Sequence, residues 1–267
     1  MHVAKLSISQ AWDETKAVLT RDGKLIGAVA LALFVLPGIV LDLVMPPAPA
    51  GQFPAPGPWM AVAAVAILIS LTCQLAIIRL GMGPHLTVGD AIAHGARRLL
   101  PFVAAVLAWG APLILVIAFL YASMAENSEK PSPAAALALI AIALVGIYLA
   151  VRFILMSAVA SAENIGPLRI LRRSWELSAG NWWRLFGFLL LFAAGALVLV
   201  WAVGAVTGLL SQLAFGSIAK MTPGGLIVII VSQLVSALLY LTYFVMLARL
   251  YLQRSAGAHA GVPSSGI

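Results

Sequence analysis

Long apolar runs alternate along this chain with short polar stretches, and within the runs polar and apolar residues do not alternate. Six runs reach the roughly 20 residues that a helix needs to cross a bilayer core. They cover residues 25–45, 59–78, 101–121, 134–156, 185–210 and 224–250. A barrel wall would alternate inward polar with outward apolar positions, and none of the six does. The pattern therefore predicts an all-α integral membrane fold with six transmembrane helices. Residues 1–254 form one membrane domain, and residues 255–267 form a small, polar, disordered tail. The last two spans exceed the minimum length and are expected to tilt or project.

Three of the polar stretches follow one plan: an amphipathic segment, a glycine with cations nearby, then a span. They read "SISQAWDETKAVLTRDGKLIG", "TVGDAIAHGARRLLPF" and "PLRILRRSWELSAGNWWRLFG", with glycines at Gly23, Gly95 and Gly180. The spacing suggests three repeats, each an interfacial helix followed by two spans. Convergence is the alternative, because any loop entering a bilayer collects glycine, cations and aromatics.

The third segment has the clearest pattern. At 100° per residue, Arg169, Arg172, Arg173 and Glu176 share one arc, and Ile170, Leu171, Trp175, Leu177 and Ala179 fall on the rest. Such a helix can lie on a membrane surface with its apolar side in the acyl boundary and its arginines among phosphates. Gly180-Asn181 is the predicted stop, since both residues tolerate the left-handed conformation. Trp182 and Trp183 then sit at headgroup depth, where Arg184 can snorkel. In the first segment Ser7 and Gln10 fit a capping box. There Ile8, Trp12, Thr15, Val18 and Leu19 share a face away from Asp13, Glu14 and Lys16.

Composition changes this picture little. The chain is 63% hydrophobic and 9% charged, far from the balance of a water-soluble domain. Its formal charge of +7 could suggest nucleic-acid binding, but a basic groove needs a soluble surface to display it. Here the cations gather at span ends. The N-terminus, the second and fourth loops and the C-terminus hold fourteen of the sixteen, and Lys130 and Lys220 lie on the other side. The positive-inside rule then puts both termini in the cytoplasm of a bacterial inner membrane. No cleaved signal is expected, because the first apolar run is long enough to span; Ala48-Pro49-Ala50 only superficially resembles a cleavage site. The loop "PPAPAGQFPAPGP" is read as a stiff spacer and "ENSEKPSP" as a polar turn.

Candidate chemistry is sparse. His2, His85, His94 and His259 do not cluster with carboxylates, Cys73 is the single cysteine, and neither a P-loop nor a Gly-x-Ser-x-Gly elbow is present. No metal, cofactor or catalytic residue is expected. Asp42, Arg79, Arg152 and Arg249 lie near span ends, where snorkelling explains them. Gln74, Thr207, Gln233 and Ser236 are candidate cavity-lining residues, with helix–helix hydrogen bonding as the competing role. Pro37 and Pro112 interrupt spans one and three and are expected to kink them.

The stretch "SAENIGPLRILRRSWELSAGNWWRLFGFLLL" resembles the segment after the fourth span of a bacterial multi-span family. That family is the glycerophosphoryl diester phosphodiesterase membrane domain. Glu163, Gly166, Pro167, Arg173, Ser174, Trp175, Leu177, Gly180 and Trp183 carry the match, and the second and first segments are also similar. The resemblance implies a multi-span inner-membrane protein. The family takes its label from members with a separate soluble phosphodiesterase domain. No stretch outside the spans is long enough here to be one.

The sequence is thus expected to encode a non-enzymatic membrane protein with a structural or accessory role in envelope or lipid organisation. Its expected partners are anionic headgroups of the cytoplasmic leaflet, met by Trp12, Lys16, Arg97, Arg98, Arg169, Arg172, Arg173, Trp175, Trp182, Trp183 and Arg184. A protein partner or a second copy is also compatible, and nucleic acid is not. The alternative is a carrier of small lipidic or hydrophobic molecules.

Overall fold

The computed structural model describes residues 6–47, 54–83, 87–126 and 133–259, with 121–126, 133–136 and 256–259 described by backbone alone. Lys5, His2, His85, Lys130, the proline-rich stretch 48–53 and the tail from 260 lie outside the described residues. Within them the chain is helical, with no strand. The helices are α1 (Ile8–Ala30), α2 (Leu36–Val44), α3 (Trp59–Met82), α4 (Val88–Glu126), α5 (Pro133–Arg152), α6 (Met156–Ala162), α7 (Pro167–Ser178), α8 (Trp182–Phe215) and α9 (Pro223–His259). Six helices are long and apolar enough to cross a membrane: Ile8–Val44, Trp59–Met82, Val88–Leu120, Leu137–Ala162, Trp182–Phe215 and Pro223–Ser255.

The first two amphipathic segments are not separate helices. A π-helical turn, Leu31–Val35, joins α1 to α2, so one rod runs from Ile8 to Val44 straight through Gly23. Pro37 follows that turn; its ring crowds the carbonyl four residues back, and a widened turn gives it room. Likewise α4 is one 39-residue helix, about 58 Å long, containing Gly95, Pro101 and Pro112. Only α7 stands apart from its span. It ends at Ser178, Gly180 takes φ 75°, and α8 begins at Trp182, as the sequence predicts.

Span four also departs from expectation. It breaks after Arg152 and resumes as α6, a short helix of small residues (MSAVASA) buried almost throughout. The break is closed by side chains and turns: Ser174 Oγ donates to the Arg152 carbonyl (3.1 Å), and Met156 N–H donates to the Phe153 carbonyl (2.9 Å). Small residues let α6 come close to its neighbours, and Ser161 Oγ donates to the Leu75 carbonyl (3.0 Å). At the start of α1, half of the expected capping box forms. Ser7 accepts from Gln10 N–H (3.3 Å), but the Gln10 amide turns to Glu14 and the Ser7 N–H goes to Gln253.

α9 is the centre of the bundle, packed against α1, α3 and α8. The core is lopsided. Its fully buried side chains, such as Ile26, Ile77, Leu155, Ile170, Leu185 and Leu250, gather toward the end where the arginines lie. Beyond Val106, α4 buries no side chain among those described, and α5 buries none before Val151. These two stretches form an arm whose helices meet where Gly146 faces Leu113. Lipid is as apolar as leucine, so packing and interhelical hydrogen bonds, rather than exclusion from water, hold such spans together. Both kinds of contact concentrate at the basic end.

Candidate functional site: the basic end of the bundle

The first and last parts of the described chain meet here. Ser7 N–H donates to Gln253 (3.3 Å), Arg184 Nη1 donates to the Leu6 carbonyl (3.0 Å), and Arg254 Nε donates to the Leu177 carbonyl (2.9 Å). Arg184, expected to snorkel, therefore also ties α8 to the segment entering α1.

Arg98 departs furthest from expectation. It is not at the headgroups but turned inward and 8% exposed. A helix leaves its last carbonyls unpaired, and a cation is a favourable partner for them. Arg98 collects those at the end of α6. Nε donates to the Ala160 carbonyl (2.9 Å) and Nη2 to those of Glu163 (2.6 Å) and Ile165 (3.0 Å). Nη1 reaches Asn164 Oδ1 (2.7 Å). His94, one turn earlier, bonds the Ser161 carbonyl (2.8 Å). The planar fork suits this divergent set in a way a lysine ammonium does not.

Arg173 is also turned toward protein. Its Nε donates to Glu163 (3.1 Å), and the Tyr251 hydroxyl donates to the same carboxylate (2.8 Å), joining α7, the α6–α7 turn and α9. Burial lowers the Arg173 pKa, but the hydrogen bond and charge of Glu163 outweigh it and leave the value raised. The buried stripe of α7 (Ile170, Ser174, Leu177, Ser178) packs on protein and not on acyl chains, against α4, α6 and α9.

The outward set is different. Arg172 is 84% exposed and paired with Glu176 (3.0 Å), and Arg169 and Arg97 are exposed. Leu168, next to Arg169 on α7, is 74% exposed, and Trp183, at the start of α8, is 77% exposed. Trp12 also faces outward, and Lys16 pairs with Asp13 (2.8 Å) on an open face of α1. Between the two sets lies an aromatic seam. The Arg152 guanidinium sits 4.6 Å from the Trp175 ring centroid and 5.3 Å from that of Tyr148. Its Nε donates to the Tyr148 hydroxyl (3.0 Å). Trp182 stacks on Tyr148 and on Phe186. A cation–π contact of this kind contributes about 0.5–2 kcal/mol.

The candidate cavity residues do not converge. Gln233 Nε2 donates to Asp42 Oδ2 (2.8 Å), and its side chain lies so close to Gly38 that a Cβ there would meet Oε1 at 2.5 Å. It therefore packs α9 on α2. Gln74, Thr207 and Ser236 are half-buried, and none of the four lines either of two cavities described here. One, about 530 Å3, is apolar and lies between α2 and α3, with Leu36, Pro37, Val65 and Ile69 on its walls. The other, about 210 Å3, contains Asp42, Lys220 and Ser232. Among the described residues no group of three or more His, Cys, Asp or Glu side chains could hold a metal.

Sequence reasoning missed Glu163, His94, Asn164 and Tyr251 as members of one network. Their signal was faint: an acidic residue before Gly-Pro, and a histidine one turn before an arginine pair. No curated protein and no solved structure matches this chain. Residues 6–254 match the Domain of unknown function (DUF7847), and with that match over nearly its whole length the chain belongs to this family.

Proposed function

We propose that this chain is a non-enzymatic protein of a bacterial inner membrane, with both termini in the cytoplasm. Its role is structural or accessory in lipid or envelope organisation, and its basic end grips anionic headgroups of the cytoplasmic leaflet. The observation that carries this reading is the pairing of exposed cations with exposed large apolar groups at one end of an apolar bundle. Arg169 and Arg172 face outward on α7 together with Leu168, and Trp183 faces outward at the start of α8. Indoles favour headgroup depth, and arginine binds phosphate with a planar fork. Inside the bundle, Arg98 and Arg173 hold the frame on which the outward pair is mounted. The resemblance to the glycerophosphoryl diester phosphodiesterase membrane domain fits this reading, since the chemistry in that label belongs to a separate soluble domain.

A carrier of lipidic molecules is the second reading. The use of Gln233 in α2–α9 packing weighs against it.

The test combines binding and sidedness. Arg169→Gln with Arg172→Gln should lower retention of phosphatidylglycerol by the purified protein several-fold at low salt, with little change at high salt. Unchanged retention would remove headgroup binding. Single cysteines at Phe53 and His259, with Cys73 replaced, should label from outside and inside respectively. Equal labelling of both from outside would overturn the orientation.

A further inference from the structure

A second charged constellation lies at the opposite end of the bundle, and it is not part of the basic network. Asp42 is in the last turns of α2, and Lys220 is in the loop joining α8 to α9. That loop has little freedom. Gly216, at φ 69°, ends α8; Gly224 and Gly225 lie where a Cβ would run into the carbonyls of Ser217 and Ala219. Thr222 donates to the Ala219 carbonyl (2.7 Å) and accepts from Gly225 N–H (3.2 Å). Lys220 is therefore presented from a fixed position.

Lys220 Nζ donates to the carbonyls of Asp42 (2.8 Å) and Met45 (2.6 Å), which the end of α2 leaves unpaired. The Asp42 carboxylate is held through Oδ2 by Gln233. An anion and a cation thus line one cavity of about 210 Å3, together with Ser232, yet each is fixed by neutral partners rather than by the other. These bonds leave Asp42 Oδ1 and one Lys220 N–H. At about 30 Å3 per water the cavity has room for roughly seven waters, or a charged group of similar bulk.

We propose that this cavity binds a phosphoethanolamine zwitterion, its ammonium on Asp42 Oδ1 and its phosphate on Lys220 with help from the Ser232 hydroxyl. The sign pattern selects that chemistry. A purely anionic headgroup would meet the Asp42 carboxylate, and a simple cation would meet Lys220. A ligand carrying both charges leaves neither protein charge uncompensated. The flanking Ile218, Val228 and Ile229 suit the glycerol end of a lipid. This inference does not rest on headgroup binding at the basic end, and either can fail alone.

Native mass spectrometry of the full chain in detergent tests it, with dioleoyl phosphatidylethanolamine as probe and dioleoyl phosphatidylglycerol as reference. The ethanolamine lipid should bind about tenfold more tightly than the glycerol lipid. Asp42→Asn still accepts from Gln233 but carries no charge, and should erase that preference. Ser232→Leu fills the cavity without touching the Asp42–Gln233 bond, and should abolish ethanolamine-lipid binding at this site while melting stays near the wild-type temperature. Free O-phosphoethanolamine serves as competitor: displacement identifies a soluble zwitterion as the ligand, and its failure identifies the lipid. Equal binding of both lipids, or wild-type binding by a folded Asp42→Asn or Ser232→Leu protein, overturns the proposal.

Discussion

The start of α4 and the whole of α7 have the same kind of sequence and end in opposite arrangements. Each has an amphipathic run, a glycine and neighbouring arginines. In α4, Gly95 lies against α3, where a Cβ would come 2.7 Å from the Thr72 carbonyl, and the helix continues unbroken. Arg98, three residues on, turns inward to close the end of α6. In α7 the glycine comes after the helix, at φ 75°, and Arg169 and Arg172 face out. A glycine near a span can serve close approach, as Gly95 does against α3, or a stop, as Gly180 does after α7. The arginines differ in the same way: Arg98 pairs with carbonyls where α6 ends beside it, whereas Arg169 and Arg172 face out.

Breaking Arg98 should have the largest effect. Arg98→Ala strands the Ala160 and Ile165 carbonyls and Asn164 Oδ1, and should cost about 3 kcal/mol or more, roughly 6–12 °C in melting temperature. Arg98→Lys should recover part of that loss, because one ammonium cannot span the divergent set. Full stability of Arg98→Ala in a thermal melt would remove the clamp. Gly95→Ala comes next, at about 1–3 kcal/mol, because the new methyl presses on backbone that cannot swing aside. Gly180→Ala should cost about 1–2 kcal/mol through its left-handed φ. The comparison is sharpened by Gly23→Ala, where nothing lies within 4 Å of the new methyl in mid-helix. That change should stabilise by about 0.5–1 kcal/mol. If Gly23 and Gly95 responded alike, the close-approach account of α4 would be lost.

The six spans and the stop at Gly180 were legible because they depend on local pattern. Apolar length marks a span whatever its neighbours, and left-handed backbone favours glycine anywhere. The fates of Arg98 and Arg173 were not legible, because their partners are more than 60 residues away in one case and across a turn in the other. A helical wheel separates polar from apolar faces; it does not say whether protein or lipid covers the apolar one. The same limit hid α6, which begins where the expected span four, residues 134–156, ends. Asp42 and Lys220 read as isolated span-end charges, since 178 residues separate two atoms 2.8 Å apart.

The arm formed by the upper parts of α4 and α5 has a mechanical consequence. It is braced at its root, where Trp109 meets Phe153 at 5.5 Å, and above that its described side chains find no buried place against the rest of the chain. From Leu107 to Glu126 it is about 30 Å long, one hydrocarbon thickness. A helix pair so placed takes its lean from the bilayer: a thin membrane lays it over and a thick one stands it up. Since Arg98 lies on the same unbroken helix as the arm, α4 is a lever with its short end gripped by α6 and its long end in lipid.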